Sequence, residues 1–297
     1  MADWSHEETI VNGVRLHYVE AGEGPLVVLL HGFPEHWYAW RKQIPALVDA
    51  GYRVVVPDMR GYNTSEKPHG VEAYRMRELV GDVVGLIETC DEERASVVGH
   101  DWGGAIAWEV AARHPGSVDR LCVLNAPHPA AYRRELLSRQ SDQARRSWYA
   151  LFFQLPWVPE ALFRAFDDRA VEGLLREDPE NPEAFDEEAI DRYKRACTRP
   201  GAMTSMINYY RAAFRGQLRS LLPGRSLPDY AREGRIDRPT LLIWGMRDRA
   251  LSPRLTEGLE RWVPDLRVER LPEASHWVQA DEPDRVNELL TGFLDDD

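Results

Sequence analysis

Cysteine is scarce in this sequence of 297 residues: Cys90, Cys122 and Cys197 are far apart, and none forms a Cys-x-x-Cys pair. That excludes a disulfide scaffold and a dithiol redox centre, and predicts reduced, buried thiols of the kind found in cytosolic proteins. Basic residues are outnumbered, 37 Lys and Arg against 49 Asp and Glu, for a net charge of −12. A phosphate backbone or an anionic membrane would be repelled on average, so nucleic acid and membrane are not expected partners. No apolar run approaches the roughly 18 residues that cross a bilayer. The opening Met1-Ala2-Asp3-Trp4-Ser5-His6-Glu7-Glu8 carries acids where a signal peptide carries basic residues. A soluble, untargeted, cytoplasmic protein is the expectation. Also missing are a His, Cys or carboxylate cluster at metal-ligand spacing and a Gly-rich phosphate loop after a strand, so neither metal nor cofactor is expected.

What is present is a globular composition, 43% hydrophobic and 10% aromatic with 10 Trp, which hints at an aromatic-walled cavity. Residues 9–11 and 14–19 alternate apolar with polar around Asn12-Gly13, a hairpin signal. The continuous apolar run 26–30 reads as a strand buried on both faces, the short apolar run 95–98 and residues 118–124 as further strands of the interior, and 53–56, 240–244 and 266–271 as strands too. Helical spacing separates them: Trp40, Ile44 and Leu47 or Val48 ending at Gly51, the stripe Met76 to Ile87, small residues from Gly104 to Ala112, then about 253–262 and 283–293. This alternation predicts an α/β fold with a mostly parallel sheet covered on both faces. Between 129 and 229 no strand pattern appears; amphipathic pieces rich in aromatics are punctuated by Pro156, Pro159, Pro179, Pro182, Pro200 and Pro223. The expected organisation is a core of 1–128 and 230–297 with a helical cap, 129–229, inserted after the sixth strand. The acidic stretch 177–188 reads as a solvated face of that cap.

The most informative stretch is Gly99-His100-Asp101-Trp102-Gly103-Gly104. Strand, cramped turn and helix here outline a nucleophile elbow, which lifts one side chain above the carboxyl edge of the sheet. The lifted residue is Asp101. Other residues just beyond strand ends include Asp248 and His276, and the order nucleophile, acid, histidine is that of the α/β-hydrolase triad. His276 alone of nine histidines lies after both other members. A serine attacking saturated carbon would leave an ether, whereas a carboxylate leaves an ester that activated water can cleave. Asp101 therefore points to displacement at sp³ carbon, with His276, oriented by Asp248, as base for water. The oxyanion of the second step would be held by the backbone N–H groups of Phe33 and Trp102.

His31-Gly32-Phe33-Pro34-Glu35, Asp58-Met59-Arg60-Gly61-Tyr62, the elbow, Ser275-His276-Trp277, and Phe152-Phe153-Gln154 with Asn208-Tyr209-Tyr210-Arg211 in the cap together resemble the motif set of α/β-hydrolase epoxide hydrolases. The resemblance runs through nearly the whole chain. It implies an eight-stranded α/β-hydrolase fold and conversion of a small apolar epoxide and water to a vicinal diol, in a monomer or homodimer. It also implies two cap tyrosines that hydrogen-bond the epoxide oxygen. By motif these are Tyr149 and Tyr210, with Tyr209 competing for the second role, since only one of two adjacent helical residues faces the site squarely. Trp102, Phe33, Phe153 and Trp277 are the expected substrate walls. The turn at Gly32-Phe33-Pro34 is a candidate cis peptide, and His100 reads as a packing or orienting residue.

Three alternatives remain. A haloalkane dehalogenase would share the Asp nucleophile followed by Trp, but its second halide donor, often Asn after His-Gly, is Phe33 here. A fluoroacetate-type dehalogenase would carry Arg where Trp102 stands. A small-molecule receptor on the same fold would not need an intact nucleophile, acid and base.

Overall fold

The computed structural model describes residues 4–165, 169–220 and 234–296. Eight strands form one sheet: β1 (Ser5–Val11), β2 (Val14–Ala21), β3 (Leu26–Leu30), β4 (Arg53–Pro57), β5 (Ala95–His100), β6 (Val118–Leu124), β7 (Thr240–Gly245) and β8 (Leu266–Leu271), in the order β1-β2-β4-β3-β5-β6-β7-β8. β2 runs antiparallel to both β1 and β4, and every other pairing is parallel. The β1–β2 hairpin turns on Asn12 at φ 49° and Gly13 at φ 73°. Two consecutive left-handed residues match the twist of the flanking strands, which explains the Asn-Gly pair.

The inner strands β3, β4 and β7 are apolar nearly throughout because both faces of the sheet are covered there, whereas the edge strands β1 and β8 carry exposed charged residues. In β3, Val28 and Leu30 pack into one core layer with Val80 and Val83 of the helix Met76–Thr89 and Ile106 of the helix Trp102–Arg113. Val27 and Leu29 point the other way, toward Ile44 and Leu47 of Gln43–Asp49 and Val286 and Leu290 of Pro283–Asp295. Each such side chain contributes about 2 kcal/mol on burial. Cys90, Cys122 and Cys197 are buried, and none is in a disulfide.

Two expectations are corrected. The helix expected over 253–262 is only a short 3-10 turn, Pro253–Thr256. Gly258 at φ 64° turns the chain out of helical geometry two residues later, and Pro264 follows. The acidic stretch 177–188 is not simply a solvated face: Ala184 and Phe185 are buried, and Asp178 is hydrogen-bonded inward. Between β6 and β7 the described residues are helical without strands, from Pro129–Leu137 to the long helix Ala202–Ser220. The expected boundary between residues 229 and 230 lies outside the described residues.

Candidate active site

β5 ends at His100, and the helix Trp102–Arg113 begins immediately after Asp101, which is held at φ 50°, ψ −116°. A non-glycine residue with φ this positive costs about 1–3 kcal/mol, so its surroundings must over-determine it. They do, through close backbone packing. A Cβ on Gly103 would lie 2.2 Å from the Leu30 carbonyl oxygen, and one on Gly99 would lie 2.4 Å from the Gly103 carbonyl oxygen. Only hydrogen fits at either position, and the helix start is therefore pressed against β3 and β5. The loop after β3 is equally close to Asp101, and there the Phe33 N–H donates to Asp101 Oδ1 at 2.9 Å. Of the two expected oxyanion donors Phe33 is engaged; the Trp102 N–H makes no bond to Asp101 among the described residues. The Phe33–Pro34 peptide is cis.

Across from Asp101, His276 Nε2 lies 3.6 Å from Oδ2, beyond direct hydrogen-bond range. Its other ring nitrogen, Nδ1, is 2.7 Å from Asp248 Oδ2. Asp248 is itself fixed: Oδ1 accepts the N–H groups of Ala250 and Leu251, each at 2.8 Å, and Oδ2 accepts Asn125 Nδ2 at 2.8 Å. Asn125 Oδ1 in turn accepts the Gly245 N–H at 2.8 Å, tying the acid's turn to the end of β7. Burial works against charge on His276, but Asp248 and Asp101 outweigh it and hold the imidazole pKa well above 6.5. Asp101 is the mirror case: burial pushes its carboxyl up, while His276 and the Phe33 N–H bring it below the ordinary value. The resting site is thus an imidazolium between two carboxylates.

Beneath His276, a fully buried Glu35 accepts the Gly32 N–H at 2.8 Å and pairs with His100 Nδ1 at 2.7 Å. His100 Nε2 donates to the His276 carbonyl at 2.9 Å. His100 thus bridges Glu35 and the His276 backbone, a position that fits the packing or orienting reading without deciding between the two. Asn125 went unnoticed in the sequence, although it follows β6 as Asp101 follows β5, and the rule of inspecting strand ends finds it.

Above Asp101 stand the cap aromatics. Tyr210 packs edge-on against Trp102 at 5.0 Å, Phe33 at 5.6 Å, Phe153 at 4.8 Å and Tyr149 at 5.8 Å, centroid to centroid. Tyr209 points away: it is fully buried, and its hydroxyl donates to the Arg60 carbonyl at 2.8 Å. Both tyrosines touch Trp102, Tyr209 at 5.5 Å, but of the pair only Tyr210 also packs on Phe33 and Tyr149. Burial, with the Asp101 charge acting in the same direction, raises the pKa of both Tyr149 and Tyr210 well above 10, so each is a neutral phenol with a proton to donate. Trp277 departs from the expected substrate wall. Its buried ring packs against His276, His100 and Phe185, and its indole N–H donates to Asp178 Oδ2 at 2.9 Å. It backs the histidine, with no ring contact to Phe33, Tyr149 or Tyr210 among the described residues. No group of His, Cys, Asp or Glu among the described residues could hold a metal ion, and no described helix is long and apolar enough to cross a membrane.

Residues 25–283 match the α/β-hydrolase fold family. The chain belongs to that family. It is 43% identical to AB hydrolase superfamily protein YfhM of Bacillus subtilis (strain 168), covering 95% of both chains. It is 38% identical to epoxide hydrolase 3 of Xenopus tropicalis, covering 96% of this chain and 76% of the relative. The crystal structure of an epoxide hydrolase from Bacillus megaterium in complex with an inhibitor superposes with a TM-score of 0.84 at 32% identity, over 98% of this chain and 100% of that one. The family and these relatives identify the protein as a hydrolase similar to epoxide hydrolases.

Proposed function

We propose that this hydrolase opens an epoxide to a vicinal diol through an ester on Asp101. The observation that carries the reading is the pair of neutral phenols, Tyr149 and Tyr210, gathered with Phe33 and Trp102 over the nucleophile. A strained ether oxygen needs a proton donor as its carbon is attacked; a halide leaving group does not. Asp101 Oδ2, the oxygen free of the Phe33 N–H, forms the new C–O bond while the ring C–O bond breaks and a phenol protonates the leaving oxygen. The segment 129–229 acts as a cap that brings these phenols and Phe153 to a core of 1–128 and 230–297.

Esterification removes the charge of Asp101 and with it one of the two carboxylates that hold His276 protonated. The imidazolium then gives up its proton, one proton returns to the phenolate left by ring opening, and the neutral ring becomes the base for water. Water adds to the ester carbonyl as the imidazole takes one of its protons, and the oxyanion forms on Oδ1 against the Phe33 N–H and the neighbouring Trp102 N–H. The acyl carbon–Oδ2 bond then breaks while the departing alkoxide takes the proton of the added hydroxyl, which releases the diol and restores the carboxylate and the imidazolium. The 3.6 Å gap between Nε2 and Oδ2 supports this order, since it separates base and carboxylate without a direct bond.

The test is a parallel assay of aryl, terminal and fatty-chain epoxides beside bromoalkanes, with His276→Gln trapped by rapid mixing and weighed intact. The reading expects diol from at least one epoxide class and an enzyme mass raised by one substrate. Bromide release without diol would replace it with the dehalogenase, and saturable binding without turnover would replace it with a receptor.

A further inference from the structure

The mechanism above leaves unused a cap loop that reaches under the histidine. Asp178 follows the cap helix Arg169–Glu177, and its Oδ2 accepts the indole N–H of Trp277 at 2.9 Å. Three residues on, the Asn181 N–H donates to Asp281 Oδ1 at 3.0 Å and its side-chain amide to the Asp281 carbonyl at 3.1 Å. Asp281 Oδ2 accepts the Ser275 N–H at 2.7 Å. The residues on either side of His276 are therefore both fastened to the same cap loop, Trp277 directly and Ser275 through Asp281. Phe185, from the end of that loop, packs edge-on against Trp277 at 5.6 Å. Arg249, one residue after the acid Asp248, is drawn to the same place: its Nη1 donates to the Glu177 carbonyl at 3.0 Å, and its Nε lies 3.8 Å from Asp178 Oδ1.

From these contacts we infer that Asp178 is a positioning residue for His276, a latch by which the cap fixes the ring that serves the ester-hydrolysis step. The reasoning is geometric. His276 sits on the turn after β8, outside the sheet's hydrogen-bonded ladder, and its direct partner Asp248 restrains only Nδ1. A ring pinned at one nitrogen can still pivot about that bond. The Trp277 anchor, its indole packed perpendicular to the imidazole with centroids 5.5 Å apart, restrains the pivot. Attack by water on an ester needs Nε2 aimed within a few tenths of an ångström, whereas ring opening by Asp101 uses phenol protons and does not call on His276 as base. The latch is thus expected to matter in one half-reaction. Asp178 carries a cost that a purely surface role would not require: burial pushes its pKa up, with His276, Trp277 and Arg249 pulling down and the nearby Asp248 adding to the rise.

The inference rests on the two-step reading, and its experiment separates the two. Asp178→Ala and Asp178→Asn are compared with wild type in single-turnover quench flow, following ester formation and decay by intact mass. Expected for Asp178→Ala is ring opening within about two-fold of wild type and ester decay slowed about ten-fold. Asp178→Asn, whose amide oxygen can still accept the indole N–H, is expected to restore most of the loss. Equal slowing of both steps, an unchanged decay rate, or an Asn variant as slow as the Ala variant would overturn the latch. A second arm needs no substrate: labelled-histidine NMR should show the His276 ring resonances shifted and broadened in Asp178→Ala, and unchanged resonances would also overturn it. Should Asp178→Ala fail to fold, Trp277→Phe removes the same bond from the other side, with the same step-specific loss expected and an unchanged decay rate again fatal. If no epoxide is turned over by wild type, the reaction assignment falls while the NMR arm still decides the latch.

Discussion

The two halves of the candidate site are held by different means. The sheet half is fixed by backbone: Asp101 is lifted at φ 50° by a turn whose glycines leave no space for a methyl group, and Phe33 meets it from a loop equally close. The cap half is fixed by side chains: Tyr149, Tyr210 and Phe153 lean on one another edge to face, and their place depends on which way a helix happens to roll. Backbone crowding is local and unforgiving, so it gives the reacting atoms their precision. Aromatic packing is distributed and replaceable, so it suits the part of a site that adapts to a substrate.

Replacing the one reacting atom of the sheet half sharpens this contrast most. Asp101→Ala should keep the fold, by circular dichroism, and lower turnover by about 10⁴-fold or more, because no other group can form the ester. The cap half should respond less steeply: Tyr149→Phe with Tyr210→Phe should slow ring opening by about 10²–10³-fold in single turnover while leaving decay of a preformed ester near normal. A loss in ester decay instead would place the phenols in the wrong step. A third prediction concerns the core that carries the sheet half. Burial lowers the pKa of His36 and of His128 from 6.5 to about 4, so both are neutral in the folded protein at pH 7. The unfolded chain takes up protons at these positions first as pH falls. Their contribution is therefore intact above about pH 6.5 and is lost as pH drops toward 4, at about 1 kcal/mol per pH unit for each group in urea-unfolding free energy. His128→Asn, which can keep the helix cap that His128 Nδ1 provides to the Ala130 N–H, should flatten that slope; an unaltered slope would place the titration elsewhere. Smallest is Tyr209→Phe, which loses only the bond to the Arg60 carbonyl. It should cost about 1 kcal/mol of stability and change turnover less than five-fold, and a larger kinetic loss would erase the distinction between Tyr209 and its neighbour.

The same contrast governs what the sequence made legible. The elbow, the Asn12-Gly13 hairpin and the buried strands were readable because each rests on a local rule: small residues where chains touch, left-handed turn residues, unbroken apolar runs between two covered faces. The order Asp101, Asp248, His276 followed from inspecting strand ends, and the same inspection would have found Asn125. Tyr209 and Tyr210 could not be separated because both carry the same chemistry and differ only in which face of a helix meets the core. Most acids of 177–188 do face solvent, and the exception, Asp178, was missed for the same reason as the place of Trp277. The partner of Trp277 is Asp178, 99 residues away, and no local pattern links them. The helix expected over 253–262 was undone by a single left-handed glycine inside an otherwise helical spacing.

The bond from the Phe33 N–H to one oxygen of Asp101 makes the two carboxylate oxygens inequivalent for the life of the protein. Under the proposed reaction Oδ1 stays behind in every cycle, while the oxygen facing His276 leaves with the diol and is replaced from water. Enzyme worked for many cycles in heavy-oxygen water should then carry a single heavy atom at Asp101, however long the run. A second heavy atom would count the occasions on which the carboxylate has turned over in its socket, so the isotope content becomes a clock for the rigidity of the elbow.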